Sequence, residues 1–506
     1  MEITSLSYLI FVGVSLVVYW ALPHKFKWWV LLVDSLIFYA LNTKPITLIY
    51  PAVSVLSVWG ATLFFEGRRN TKPARIVLIL TLVLNVGMLS LLKYTNLFLS
   101  TVSYFTEKFS GRTIPSVKWY ASLAISFYTL QIISYLLDCY WGVEKAEKNP
   151  LKVLLFTIYF PLTISGPICR YNMLSAGLFA NNSFDYDRVT RSLKRTGWGF
   201  AKKLIVADRL SVVVGYMFAS PDFFTGPWTI LAAALFVIQL YFDFTGCMDI
   251  ALGISGCFGV ELPENFRTPF FAKTVQEFWQ RWHMTLGTFL KEYIMYPVLK
   301  SPLFVKMTAD CKKHFGKKGK KIPTYLAMLI VWLLMGLWHG SSWKYVLGEG
   351  LWFWLIIVLG QIPSDFFKKA KARLHIKEDA FLWKAYGIVR TSLFFTIGMI
   401  FFNAADLKAA FHMISCIFRP FPVKEGFLSL YRGIWPEFGG KYVALAVLII
   451  FILQTVFDFM HEKGKDPQEA VAKIVAPVRW VLYLALIFLI IFTGSFGKSS
   501  FIYFGF

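Results

Sequence analysis

Apolar residues along this chain come in long runs rather than in alternation. Ser5–Leu22, Trp28–Leu41, Ile46–Phe65, Ile76–Leu92, Trp119–Cys139, Leu204–Phe218, Trp228–Cys257, Tyr325–Trp338, Leu347–Ile362, Ala385–Phe402, Tyr442–Phe459 and Val475–Phe492 carry few charges. A helix crossing a bilayer needs about 20 such residues. The pattern therefore predicts an all-α, polytopic integral membrane protein with about 11–13 transmembrane or re-entrant helices. Several runs are too short for a straight crossing. Short spans beside amphipathic ones predict tilted or re-entrant helices buried in protein rather than in lipid. Leu151–Ile164, just before Gly166-Pro167, and Thr274–Val298, charged throughout, are the clearest examples.

Composition supports that class. Of 506 residues, 57% are hydrophobic, 18% aromatic and 16% charged, against about 25% charged in an ordinary soluble domain. Disorder, a soluble enzyme and a disulfide-rich secreted scaffold are excluded. The six cysteines (139, 169, 247, 257, 311 and 416) are scattered without paired spacing, so neither a disulfide framework nor a metal site is expected. The first apolar run lacks a basic flank and a small-residue cleavage site and reads as a retained helix, not a signal peptide. No repeat or linker divides the chain, which reads as one unit spanning residues 1–506.

Charge poses the remaining question. With 52 Lys and Arg against 29 Asp and Glu, the net charge is +23. Nucleic-acid binding would interleave basic residues with exposed aromatics on a soluble face. Here the basic residues flank apolar spans, as topology signals do. Lys25 and Lys27 are separated by two helices from Arg68, Arg69, Lys72 and Arg75, so both clusters fall on one side. Taking that side as the cytoplasm puts the N-terminus outside. The seven lysines from Lys306 to Lys321, and Lys368, Lys369, Lys371 and Arg373, then become further cytoplasmic loops.

Ionisable residues inside apolar segments are functional candidates by default. Trp338-His339-Gly340 ends one apolar run. If that helix starts at Pro323, His339 lies about 24 Å along it. A neutral imidazole suits general-base work, and Gly340 leaves room for a substrate. An interfacial Trp-His anchor is the alternative. His283, in Phe278-Trp279-Gln280-Arg281-Trp282-His283, is the second candidate. On one continuous helix, Trp279 and His283 would share a face and Trp282 would meet Leu286. Arg281 could hold a phosphate or carboxylate; an amphipathic helix lying in the interface is the alternative. Third, Gln239, Asp243, Gly246 and Ile250 share a helical face, and Asp249 and Gly253 follow. Asp243 needs a partner there, either in a structural polar network or along a substrate cavity. No GxxxxGK[ST] loop and no His-Glu-x-x-His pair occurs. ATP-driven transport and metalloprotease chemistry have no support.

Taken in order, these segments resemble the membrane-bound O-acyltransferase family, in its bacterial alginate O-acetyltransferase branch, with teichoic-acid D-alanylation proteins as cousins. The resemblance is carried by residues 125–135 and Phe160-Pro161 through Ser165-Gly166-Pro167-Ile168-Cys169-Arg170-Tyr171. It continues through Lys202-Lys203 to Ala207-Asp208-Arg209, Tyr241-Phe242-Asp243-Phe244 and Leu262-Pro263-Glu264-Asn265-Phe266. Phe278–His283 and Gly336-Leu337-Trp338-His339-Gly340 complete it. Lys291-Glu292 replaces the family's frequent Arg-Asp while keeping its charges, and Tyr296–Pro302 replaces a Gly-rich stretch.

The resemblance implies helices around a central tunnel open on both faces. Residues 1–110 would form peripheral N-terminal helices, 119–402 the core, and 403–506 the C-terminal helices and aromatic tail. It implies His339 as the catalytic base and His283 as the second family histidine. Trp338, Gly340, Trp282, Arg281, Asp243 and Gln239 would line the substrate tunnel. No bound cofactor is implied; acetyl-CoA or an acyl carrier protein would supply a cytoplasmic thioester. The acceptor would be an extracytoplasmic envelope polysaccharide, reached through a hydrolase-like transferase partner of the SGNH type, at a bacterial cytoplasmic membrane. Tyr503, in the terminal Phe501-Ile502-Tyr503-Phe504-Gly505-Phe506, would be an acyl relay or an interfacial anchor. D-alanyl transfer, a non-catalytic transporter or flippase, and an envelope scaffold are the competing readings.

Overall fold

A computed structural model describes residues 1–497 except 121, 164, 362–371, 374, 376, 421 and 422. Among the described residues there are helices and turns but no strand; Phe266 and Trp282 form an isolated bridge. All six cysteines are free. Seven described helices are long and apolar enough to cross a membrane. They are Pro45–Phe65, Lys72–Ser110, Pro227–Cys257, Lys321–His339, Phe381–Asn403, Gly440–Glu462 and Ala476–Thr493. This is a multi-pass all-α membrane protein.

The other predicted spans exist in shorter or broken form, each for a local reason. Residues 112–120 carry no regular secondary structure and Ala124 is left-handed (φ 55°), so Trp119–Cys139 is helical only from Ile125. The preceding helix instead overruns its predicted limit, Leu92. It runs 39 residues, Lys72–Ser110, with Pro73 in its first turn, Thr71 accepting from the Ala74 amide, and a left-handed Gly111 capping its end. At 1.5 Å per residue it is about 58 Å long, roughly twice the hydrocarbon thickness. The predicted Leu204–Phe218 and Leu347–Ile362 spans both open with π-helical segments, Lys202–Ala207 and Lys344–Gly350. Such widened turns are frequent at functional sites.

The region from Lys306 to Lys321 is largely helical: Ser301 caps the segment Pro302–Gly319, which is broken at Gly316 (φ 62°, ψ −148°) and whose lysines face outward. One expectation is corrected: Thr274–Val298 is not one amphipathic helix. It breaks into Val275–Trp279, Met284–Leu290, a π segment Lys291–Met295 and Tyr296–Lys300. His283, at φ 47° and ψ 49°, marks the break. Trp279 and His283 therefore do not share a helix face.

The chain divides into two compact units. The first comprises Met1–Gly199 with Cys247–Pro263. Its core is aromatic, with Phe160 edge-on to Phe11 and Phe258, and Phe258 edge-on to Tyr19. Gly253 and Gly256 let Tyr186–Ala201 approach closely: a Cβ on Gly253 would lie 2.2 Å from Thr196 Oγ1, and one on Gly256 2.4 Å from Ser192 Oγ. Small residues serve this purpose where membrane helices cross. Arg195 pairs with Asp249 at 2.8 Å beside this crossing. Lys27 lies over the Trp20 ring, 4.2 Å from its centroid, and donates to the Asn182 carbonyl at 2.6 Å.

The second unit comprises Phe200–Gly246 and, among the described residues, 264–497. Its centre is a stack of rings in which Phe395 contacts Phe278, Trp282, Trp279 and Phe353. Every described residue of the candidate site below belongs to this unit.

Candidate active site

His339 is the last residue of the apolar helix Lys321–His339, and Gly340 turns out of it in extended conformation (φ −172°, ψ 158°). The π segment Lys344–Gly350 then doubles back against the same helix. Two glycines make that approach possible. A Cβ on Gly336 would lie 2.3 Å from the Tyr345 carbonyl oxygen, and one on Gly340 would fall 2.2 Å from the Tyr345 ring. The space vacated at Gly340 is thus filled by Tyr345, which corrects its reading as room for a substrate.

This hairpin brings Glu349 to His339. The imidazole Nδ1 lies 3.0 Å from Glu349 Oε1, and both side chains are 2% exposed. Glu349 Oε2 has no hydrogen-bond partner among the described residues. The contact is made at the ring nitrogen away from Nε2. Trp338 and Phe402 pack against the imidazole at ring separations of 5.2 and 5.8 Å.

His283 approaches the same place from the broken helix. Its left-handed backbone turns the ring toward Trp338, 5.6 Å between centroids, and edge-on to Phe244 at 4.9 Å. Asn265 holds it there: Asn265 Oδ1 lies 3.2 Å from His283 Nδ1 and accepts from the Thr285 amide and hydroxyl. The Phe266–Trp282 bridge and the Met284 amide bonded to the Asn265 carbonyl fix that turn. Trp338 therefore packs against both histidines.

The remaining sequence candidates lie in other settings. Trp282 packs among Phe266, Phe278 and Phe395 in the aromatic core. Arg281 is not open to a ligand carboxylate: it pairs with Glu277 at 2.7 Å and Glu462 at 2.8 Å, and donates to Thr268. Asp243 meets the buried Lys203, whose Nζ lies 2.6 Å from Asp243 and 2.7 Å from Asp208. Gln239, on the same helix, is buried, and its Oε1 has no hydrogen-bond partner among the described residues. Tyr503, Lys368, Lys369 and Lys371 lie outside the described residues.

Sequence reasoning missed Glu349, although an acid inside the predicted span Leu347–Ile362 was its signal. Gly348 and Phe401, neighbours of Glu349 and Phe402, line an apolar cavity of about 510 Å³ with Ile230, Leu351, Ile400 and Ile414. A buried imidazole beside a buried carboxylate suits proton abstraction from a hydroxyl in a dry environment.

Residues 144–309 match the model of the membrane-bound O-acyltransferase family. The "Probable alginate O-acetylase AlgI" of Pseudomonas syringae pv. tomato is 30% identical over 461 residues, covering 90% of this chain and 82% of that protein. The peptidoglycan O-acetyltransferase of Helicobacter pylori is 29% identical, covering 77% of this chain and 73% of its own. A teichoic acid D-alanyltransferase of Bacillus subtilis is 27% identical over 49% of this chain and 61% of that protein.

Proposed function

The chain belongs to the membrane-bound O-acyltransferase family, and from that premise we propose that His339 is the general base of an acetyl transfer to a cell-envelope polysaccharide. The donor is a cytoplasmic thioester, acetyl-CoA or an acyl carrier protein, and the acyl group crosses the bacterial cytoplasmic membrane through this protein. The observation that carries the reading is the buried His339–Glu349 pair, with Nδ1 3.0 Å from Oε1. Glu349 is a positioning residue that keeps the Nδ1 proton and stabilises the imidazolium. His339 Nε2 takes the acceptor hydroxyl's proton as its oxygen attacks the thioester carbonyl; the C–S bond breaks and the thiol leaves with a proton. His283, held by Asn265 and sharing Trp338, shapes the approach to that centre.

Acetyl is favoured because relatives named for O-acetyl transfer match over 90% and 77% of this chain, whereas two named for D-alanyl transfer match over 49% and 44%. An extracytoplasmic hydrolase-like transferase completes delivery to the polysaccharide. Tyr503 is proposed as the relay. Just before that tail, Arg209 donates to the Thr493 and Gly494 carbonyls and the Ser495 amide bonds to the Leu204 carbonyl.

The test is envelope O-acetylation in cells carrying His339→Ala protein that inserts at the wild-type level. Loss is expected; undiminished O-acetylation overturns the assignment. Labelled acetyl and D-alanyl donors given to the same membranes distinguish the two acyl groups.

A further inference from the structure

Far along the chain from the histidine pair, three side chains of different chemistry converge at the end of a ten-residue helix, Leu407–Cys416. His412 and Cys416 are one turn apart on that helix, and Asp222 reaches them from the turn before Pro227–Cys257. His412 Nε2 lies 3.0 and 3.1 Å from the two Asp222 oxygens, and Cys416 Sγ lies 3.9 Å from the same nitrogen. One ligand atom from each residue falls within 4.8 Å of the others. At the usual zinc bond lengths of about 2.0–2.3 Å, ligand atoms in a tetrahedral site sit about 3.3–3.7 Å apart. The observed spacing needs shifts of a few tenths of an ångström for the nitrogen pairs.

The tripod is also held in place without an ion. The Gly226 amide donates to the Cys416 carbonyl at 2.8 Å, and Thr225 Oγ1 to the Pro420 carbonyl at 2.5 Å, tying the Asp222 turn to the end of the helix. Cys416 is fully buried, while His412 and Asp222 are 39% and 67% exposed in their side chains. An ion entering from solvent would meet carboxylate and imidazole first and thiolate at the floor. Arg419 already occupies Asp222 Oδ1 at 2.6 Å, which leaves Oδ2 as the ligand and makes the guanidinium an orienting partner, as such outer groups are elsewhere.

We propose that Asp222, His412 and Cys416 form a binding site for a soft divalent cation of the zinc type, with water as the fourth ligand. Thiolate and carboxylate together neutralise the ion, and neutral His412 coordinates through Nε2 with its proton on Nδ1. The ion would clamp the helix Leu407–Cys416 to the Asp222 turn. Because Phe411 and Ile414 of that helix line the apolar cavity of about 510 Å³, the clamp would fix one wall of it. The inference does not rest on the acyl-transfer reading. His-x-x-x-Cys is a common enough pattern to go unnoticed, and its third ligand lies 190 residues away.

The experiment uses the full chain, purified in detergent, stripped of metal and titrated with Co2+. One equivalent should bind with the visible bands of tetrahedral cobalt and a near-ultraviolet sulfur-to-cobalt band. Cys416→Ser should abolish the sulfur band, His412→Ala should weaken binding by about tenfold or more, and Asp222→Asn should weaken it. Cys311→Ser should change nothing. Should Cys416→Ser fail to fold, His412→Ala, altering a half-exposed side chain, decides alone. Absence of the bands in excess Co2+, or bands surviving both Cys416→Ser and His412→Ala, overturns the proposal.

Discussion

Two buried charge clusters in the second unit make an instructive pair. At one, His339 faces a single carboxylate, Glu349. At the other, Lys203 is gripped by two carboxylates, Asp208 and Asp243, and all three side chains are at most 3% exposed. Both are built beside π-helical segments, Lys344–Gly350 and Lys202–Ala207, and both put ionisable groups where burial is expensive. The difference lies in what remains available. The lysine cluster joins a permanent cation to two anions and locks a helix junction. The histidine pair combines an imidazole with a single acid at its Nδ1 side, which leaves Nε2 for proton transfer. Burial and charge alone do not mark a catalytic site; the chemistry left over after pairing does.

The contrast predicts different failures for the two clusters. The largest effect belongs to His339→Ala, expected to cost about 10²–10⁴-fold in acyl transfer while expression, insertion and thermal unfolding stay near wild type. Lys203→Leu should do the reverse: uncovering two buried carboxylates costs about 3–5 kcal/mol. It should appear as lost monodisperse protein or a lowered Tm, with partial recovery when Asp208→Asn and Asp243→Asn are added. If the lysine variant were stable but inactive, the two clusters would not differ as argued. Glu349→Gln should retain the fold and lower kcat by about 10–100-fold, as outer-shell losses do at other sites, with KM unchanged. The smallest effect is expected at the outward lysines of Pro302–Gly319. Converting Lys312, Lys313, Lys317 and Lys318 to Gln should raise KM for an anionic thioester a few-fold at low salt and not at high salt. A salt-independent change would leave them without a steering role.

Much of the fold was legible because bilayer crossing imposes a crude length rule, and apolar runs obey it. What escaped was local. The single helix expected through His283 fails because Asn265 and the Phe266–Trp282 bridge hold a left-handed turn that no periodicity reveals. That Asp243 required a partner was readable from its apolar run; that the partner is Lys203, forty residues earlier, was not. His339 stood out as an ionisable group closing an apolar helix. Glu349 did not, because ten residues of helix would carry it away from His339. Only the reversal at Gly340, packed through Gly336 against the Tyr345 backbone, brings it back.

The most direct test is single-turnover acyl transfer by wild-type, His339→Ala and Glu349→Gln proteins in proteoliposomes loaded with a labelled acetyl thioester. The account predicts transfer slowed by about 10²–10⁴-fold in His339→Ala and more modestly, at unchanged donor affinity, in Glu349→Gln, with all three proteins equally folded. Transfer by His339→Ala at a rate matching wild type would contradict it.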